Sequence, residues 1–139
     1  MEKNFKLYFN APFVSVRIFQ KLICCFFALV LFNPVFNNGP GNYGYDRFKD
    51  RYTEISPYHN IQKGAAPAII FLGTEDKLIP VQTAVDYKNK MIEAGSKCEL
   101  HLYKGQGHGF FNYKEAGNPF YQETVAEAYI FLKKLWQLP

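Results

Sequence analysis

Cysteine is scarce in this chain and unhelpfully spaced. Cys24 and Cys25 are adjacent and Cys98 is remote, a pattern that builds no disulfide framework. All three read as reduced and buried. His59, His101 and His108 have no Cys or His at ligand spacing, which argues against a metal site. Neither a metal nor an organic cofactor is expected. Basic charge is weak as well: 16 Lys and Arg against 12 Asp and Glu leave a net +4, scattered along the chain. Nucleic-acid binding needs a basic stripe, and none is present.

Long hydrophobic runs are also missing. The longest, "LICCFFALVLF", has eleven residues, against the ~20 that cross a bilayer. No stable membrane span is expected. The run follows Lys3, Lys6, Arg17 and Lys21, as the core of a signal peptide would. Yet no small-residue cleavage site follows it in "NPVFNNGP". If the run is a buried strand, the chain reads as cytoplasmic. If it is a signal-anchor, the chain reads as secreted or membrane-associated.

Apolar and aromatic residues are abundant. The 139 residues are 48% hydrophobic and 20% charged, a globular balance with enough chain for one domain and its core. With 14 Phe and 10 Tyr, some rings are expected to line a surface or pocket.

Three segments read as parallel strands: "ALVLFN" (28–33), "AIIFLG" (68–73) and "CELHLY" (98–103). The first two are continuous apolar runs, as strands covered on both faces should be. The third alternates, with Cys98, Leu100 and Leu102 on one face and Glu99, His101 and Tyr103 on the other. Between the last two, Val81, Ala84, Val85, Lys88, Met91 and Ile92 fall at helical spacing over about 80–94, with Pro80 in the first turn and Gly95 placed to end it. Strand, helix, strand makes a right-handed crossover. A closing helix is expected over about 120–136, facing inward with Val125, Ala128, Tyr129, Leu132, Leu135 and Trp136. In the long connection 34–67, between the first two strands, Tyr45, Phe48, Tyr52 and Ile55 predict a short amphipathic helix, with a turn at Ser56-Pro57.

In an open parallel sheet, loops leaving the C-terminal ends of strands form the ligand crevice. After "AIIFLG" comes "TEDKLIP", and after "CELHLY" comes "KGQGHGFF". These loops bring Asp76 and His108 to one rim. A buried Asp accepting from the Nδ1–H of a His fixes its tautomer and leaves Nε2 free to take a proton from a nucleophile. Glu75 is a weaker candidate acid. His101 reads as structural or solvated, and His59 as a packing residue.

The stretch "PAIIFLGTEDKLIPVQTAVDYKNKMIEAGSKCELHLYKGQGHGFFNY" resembles the C-terminal half of an α/β-hydrolase, in the esterase and prolyl-oligopeptidase-like branch. In that family the triad runs in the order Ser, Asp, His. The acid stands in a G-x-x-D-x-x-x-P setting, matched by Gly73, Asp76 and Pro80. The histidine stands in a GHGF turn, matched by Gly107, His108, Gly109 and Phe110. The resemblance covers roughly residues 28–137. It implies an α/β fold with a three-stranded parallel sheet and flanking helices. It also implies that Asp76 and His108 are catalytic and that the intact relative takes a small ester or peptide substrate. Phe110, Phe111, Phe36 and Tyr45 are candidate walls of the substrate pocket, although ordinary packing is the preferred reading of any single ring.

One part of the family's pattern is missing. The serines are Ser15, Ser56 and Ser96, and none lies in G-x-S-x-G, the strained elbow that exposes the nucleophile. Cys24 and Cys25 have no adjacent glycine and sit in an apolar run that keeps a thiol neutral. No nucleophile is therefore assigned. Residues 1–27 match nothing in the family and are expected to be an atypical, frame-disrupted segment, with 28–139 the C-terminal part of a hydrolase domain that lacks its N-terminal strands and nucleophile elbow. Such a truncated chain is expected to be inactive alone and prone to self-association through the unpaired edge of strand 28–33. Two alternatives stay open: a non-catalytic interaction module or remnant, and a flavodoxin-like binding domain.

Overall fold

The structure, a computed structural model, describes residues 27–136. Ser15, Cys24, Cys25 and the rest of the segment before Phe27 lie outside the described residues. Three strands form one parallel sheet in the order β1 (Leu29–Phe32), β2 (Ala68–Gly73), β3 (Cys98–Tyr103). Leu29 pairs with Ala68, and Ala68 with Cys98, so all three strands end at one rim.

Every residue of β2 is buried. A strand with neighbours on both edges and helices on both faces has no polar side, which explains its unbroken apolar run. Successive β2 side chains point to opposite faces and build two cores. Ala68, Ile70 and Leu72 pack with Phe36, Ala84, Tyr87 and Met91 on one face. Ile69 and Phe71 pack with Tyr103 and Phe131 on the other. Each large side chain buried this way contributes about 1.5–3 kcal/mol.

Two short helices, α1 (Tyr45–Phe48) and α2 (Tyr52–Ile55), lie in the long connection; the first core is covered by α3 (Val81–Glu93), and the second by α4 (Pro119–Trp136). Both long helices sit where the periodicity placed them, but with a different phase. On α3 the buried residues are Ala84, Tyr87 and Met91, while Ile92 is 53% exposed. Tyr87 owes its place to stacking on Phe36 at 4.2 Å between ring centroids. On α4, Val125 and Tyr129 are exposed rather than inward. Thr124 and Phe131 are the buried residues, and Phe120, Ala128, Leu132 and Leu135 pack beside them. The rotation has a local cause. Phe120 meets the Tyr103 ring edge-on at 5.8 Å, and the Thr124 hydroxyl is satisfied inside the helix by the Phe120 and Tyr121 carbonyls.

The expected helix over 45–55 is broken. It comprises α1 (Tyr45–Phe48), a 3₁₀ turn (Lys49–Arg51) and α2 (Tyr52–Ile55). Lys49, at φ 44°, interrupts it. A second 3₁₀ turn, Pro57–Asn60, follows Ser56.

Candidate active site

The loop after β2 is shaped by one aspartate. Asp76 Oδ1 accepts the backbone N–H groups of Leu78 (2.8 Å) and Ile79 (3.1 Å), a turn in which an Asp side chain replaces a backbone carbonyl. These bonds aim the other oxygen across the rim. There the His108 Nδ1–H donates to Asp76 Oδ2 at 2.9 Å. An ionised carboxylate is acceptor-only, so the ring nitrogen facing it carries the proton. The Asp76 side chain is wholly buried and that of His108 is 44% exposed. Three N–H donors offset the desolvation of the carboxylate, and Nε2, on the far side of the ring, is left to accept a proton.

The two loops touch at close range. Thr74 N–H donates to the Tyr103 carbonyl (3.0 Å), Glu75 N–H to that of Gln106 (2.9 Å), and Gly105 N–H to Thr74 Oγ1 (2.9 Å). The backbones approach so nearly that a Cβ on Gly73 would lie 2.2 Å from the Gln106 oxygen. Glycine is required there by space alone. Past His108, Gly109 takes φ 77° and turns the chain back. Phe111 then reaches the Phe32 ring at 4.8 Å, and Phe110 the Tyr103 ring at 4.7 Å.

The remaining candidates are placed differently. Phe36 is 1% exposed and belongs to the core under α3, so packing accounts for it. Tyr45 lies on α1 and meets Tyr52 edge-on. Glu75 is exposed and meets the β3 loop through its backbone, its N–H donating to the Gln106 carbonyl. His101 lies beside Glu99 at 3.7 Å and against the Phe71 ring.

Neither described serine is presented as a nucleophile. Ser96 donates to the Ala65 carbonyl. Ser56, fully buried, has a histidine neighbour in His59, with Nδ1 2.8 Å from Oγ. Its hydroxyl donates to the Phe36 carbonyl and accepts from Asn38 N–H. One donor and two acceptor sites are then filled if His59 Nδ1–H also donates. This Ser–His pair ties the long connection together, and sequence spacing gave no sign of it. Cys98 stands at the start of β3, at the end of the sheet away from the rim. Burial pushes its thiol up to about 11, so it stays neutral. Among the described residues no group of His, Cys, Asp and Glu could hold a metal ion.

Asn33, just past β1 on the same rim, was not anticipated. It is 5% exposed, takes φ 42°, and neither polar atom of its side-chain amide has a hydrogen-bond partner among the described residues.

The chain matches the dienelactone hydrolase family over residues 29–135, from β1 through all but the last residue of α4. It is 36% identical to the propionate-bound thermophilic esterase Est2 of the Planctomycetes species Thermogutta terrifontis. That match has a TM-score of 0.69 and covers 78% of this chain and 43% of that one. Esterase 2 of the same organism, phosphorylated by paraoxon, is 38% identical with a TM-score of 0.69, over 78% of this chain and 40% of that one. The non-reducing polyketide synthase pkbA of Emericella nidulans is 32% identical over 82 residues, 58% of this chain and 3% of that protein. This chain therefore spans less than half the length of the esterases it matches. Its three parallel strands and flanking helices are part of an α/β-hydrolase fold, and the chain belongs to the dienelactone hydrolase family.

Proposed function

We propose that this chain carries the acid and base of a serine-type carboxylic ester hydrolase, with a small ester as substrate. The observation that supports it is the 2.9 Å contact between the His108 imidazole and the buried Asp76 carboxylate. His108 Nε2 would take the proton of an attacking serine hydroxyl and later deliver it to the leaving alcohol. Asp76 would hold the ring in the Nδ1–H tautomer and stabilise the imidazolium. Phe110 and Phe111, carried by the same turn, would wall the acyl site. The paraoxon adduct of the esterase relative fits a serine nucleophile in this family.

The chain's own serines do not meet the nucleophile's requirements, since none stands in G-x-S-x-G. In this reading residues 28–139 are the C-terminal part of the catalytic domain, and the elbow and oxyanion hole come from a separate segment. Loss of a triad serine lowers turnover about 10⁶-fold, so the chain alone would be inactive. β1 pairs with no strand on its other edge among the described residues. That edge is where a missing strand, or a second copy, would add.

Purified chain assayed with a short-chain aryl ester, alone and with a supplied N-terminal half bearing G-x-S-x-G, tests this. Turnover only in the mixture, abolished by His108→Ala, supports the proposal. Turnover in the mixture that survives His108→Ala would leave a non-catalytic interaction module as the better reading.

A further inference from the structure

The Asp76 carboxylate cannot follow a histidine that moves, because the Leu78 and Ile79 N–H groups pin its other oxygen. Alignment of the pair therefore depends on where the β3 loop holds His108. A hydrogen bond weakens steeply once its angle or length slips. Three bonds clasp the two loops. Two run from backbone to backbone. The third is made by Thr74 Oγ1, the acceptor for Gly105 N–H. Apart from Asp76 itself, Thr74 is the one described side chain that hydrogen-bonds from the β2 loop into the β3 loop. Gly105 takes φ 73° in the turn closed by Gln106 N–H on the Tyr103 carbonyl. His108 is three residues further on. Thr74 is exposed, so burial of its side chain does not explain the contact.

We propose that Thr74 is a positioning residue for the Asp76–His108 pair, acting through the Gly105 turn. Its hydroxyl fixes the start of the β3 loop against the end of β2, and the Gln106 carbonyl then seats on Glu75 N–H. This delivers the His108 ring to an acceptor that is already immobile. The inference rests on reading Asp76 and His108 as the proton relay.

The test reads the tautomer of His108 in the full chain by long-range ¹H–¹⁵N correlation, with the ring signals assigned by their loss in His108→Gln. A free imidazole favours Nε2–H; a ring held by Asp76 is expected to be Nδ1–H. Thr74→Val removes the acceptor at nearly constant volume. It is expected to lower the Nδ1–H to Nε2–H ratio on the order of threefold to tenfold, and to speed amide exchange at Gly105 by a similar factor. Thr74→Ser keeps the hydroxyl and is expected to restore both. A merely structural role would move the unfolding midpoint without touching the tautomer. A ratio unchanged in Thr74→Val and in Thr74→Ala, with faster Gly105 exchange, would overturn the proposal while leaving the pair intact. Nε2–H in the unaltered chain would mean the pair itself does not form, and both readings would fall.

Discussion

Asp76 presents no side-chain surface to solvent, whereas the His108 ring that donates to it is 44% exposed. The carboxylate is sealed and the imidazole is open. Sealing strengthens the hydrogen bond that sets the tautomer. Openness lets Nε2 meet another group.

Asp76→Asn should separate orientation from folding. The amide oxygen can still accept from Leu78 and Ile79, so the turn is retained. The amide nitrogen, a donor, now faces Nδ1 and favours the wrong tautomer. Hydrolysis by the complemented chain is expected to fall on the order of 10⁴-fold, with the midpoint of thermal unfolding nearly unchanged. Comparing kcat and unfolding for the two proteins checks it.

Gly73→Ala should damage both the fold and the pair. The new methyl would meet the Gln106 carbonyl, a backbone atom that cannot rotate away. Urea unfolding is expected to register a loss of about 3 kcal/mol. His108 should also lose its Nδ1–H tautomer as the loops part. A normal urea midpoint would mean that the loops are not in contact at Gly73.

The long connection should loosen in acid. Burial, and then the charge of Lys90, hold the His59 imidazole below its ordinary 6.5. The unfolded chain therefore binds the proton more readily than the folded one. Stability from this residue is present above about pH 6.5 and is lost as pH falls from there toward the lowered folded value. Denaturation at about pH 7.5 and about pH 5 should show this slope, and His59→Gln should flatten it. An equal slope in both proteins would assign the acid sensitivity to other groups.

Asn33→Gly should stabilise the described fold. It removes an amide whose two polar atoms are buried without partners among the described residues, worth about 1–3 kcal/mol. It also relieves a left-handed φ at a residue with a Cβ. Extra backbone entropy offsets about 0.5–1 kcal/mol. A net gain of about 1 kcal/mol in urea unfolding is expected. A loss would mean that the amide has a partner.

The sheet was legible because β2 is apolar throughout and the crossover helix carries its own stop signal at Gly95. Asp76 and His108 were legible because each follows a strand end, and strand ends of a parallel sheet share a rim. The helix phases were harder to read. On α4, Val125 and Tyr129 fit an inward stripe by spacing, but Phe120 and Phe131 pack on the Tyr103 and Phe71 side of the sheet, which turns Val125 and Tyr129 outward. Tyr87 was missed because the Phe36 ring it stacks on is distant in sequence. The clasp was invisible for a similar reason. Thr74 and Gln106 carry no distinctive pattern, Gly73 stood out only as part of the G-x-x-D-x-x-x-P setting, and their contact exists only once β2 and β3 are side by side. Asn33 left a faint trace, since Asn tolerates left-handed backbone better than most residues.

The most direct check on the proposed relay, in which the nucleophile lies outside this chain, is intact-mass analysis of the purified 139-residue chain after treatment with a serine-directed fluorophosphonate. No adduct is expected on the chain alone, and an adduct on the supplied G-x-S-x-G half is expected in the mixture. An adduct on Ser15, Ser56 or Ser96 of the isolated chain would contradict this account.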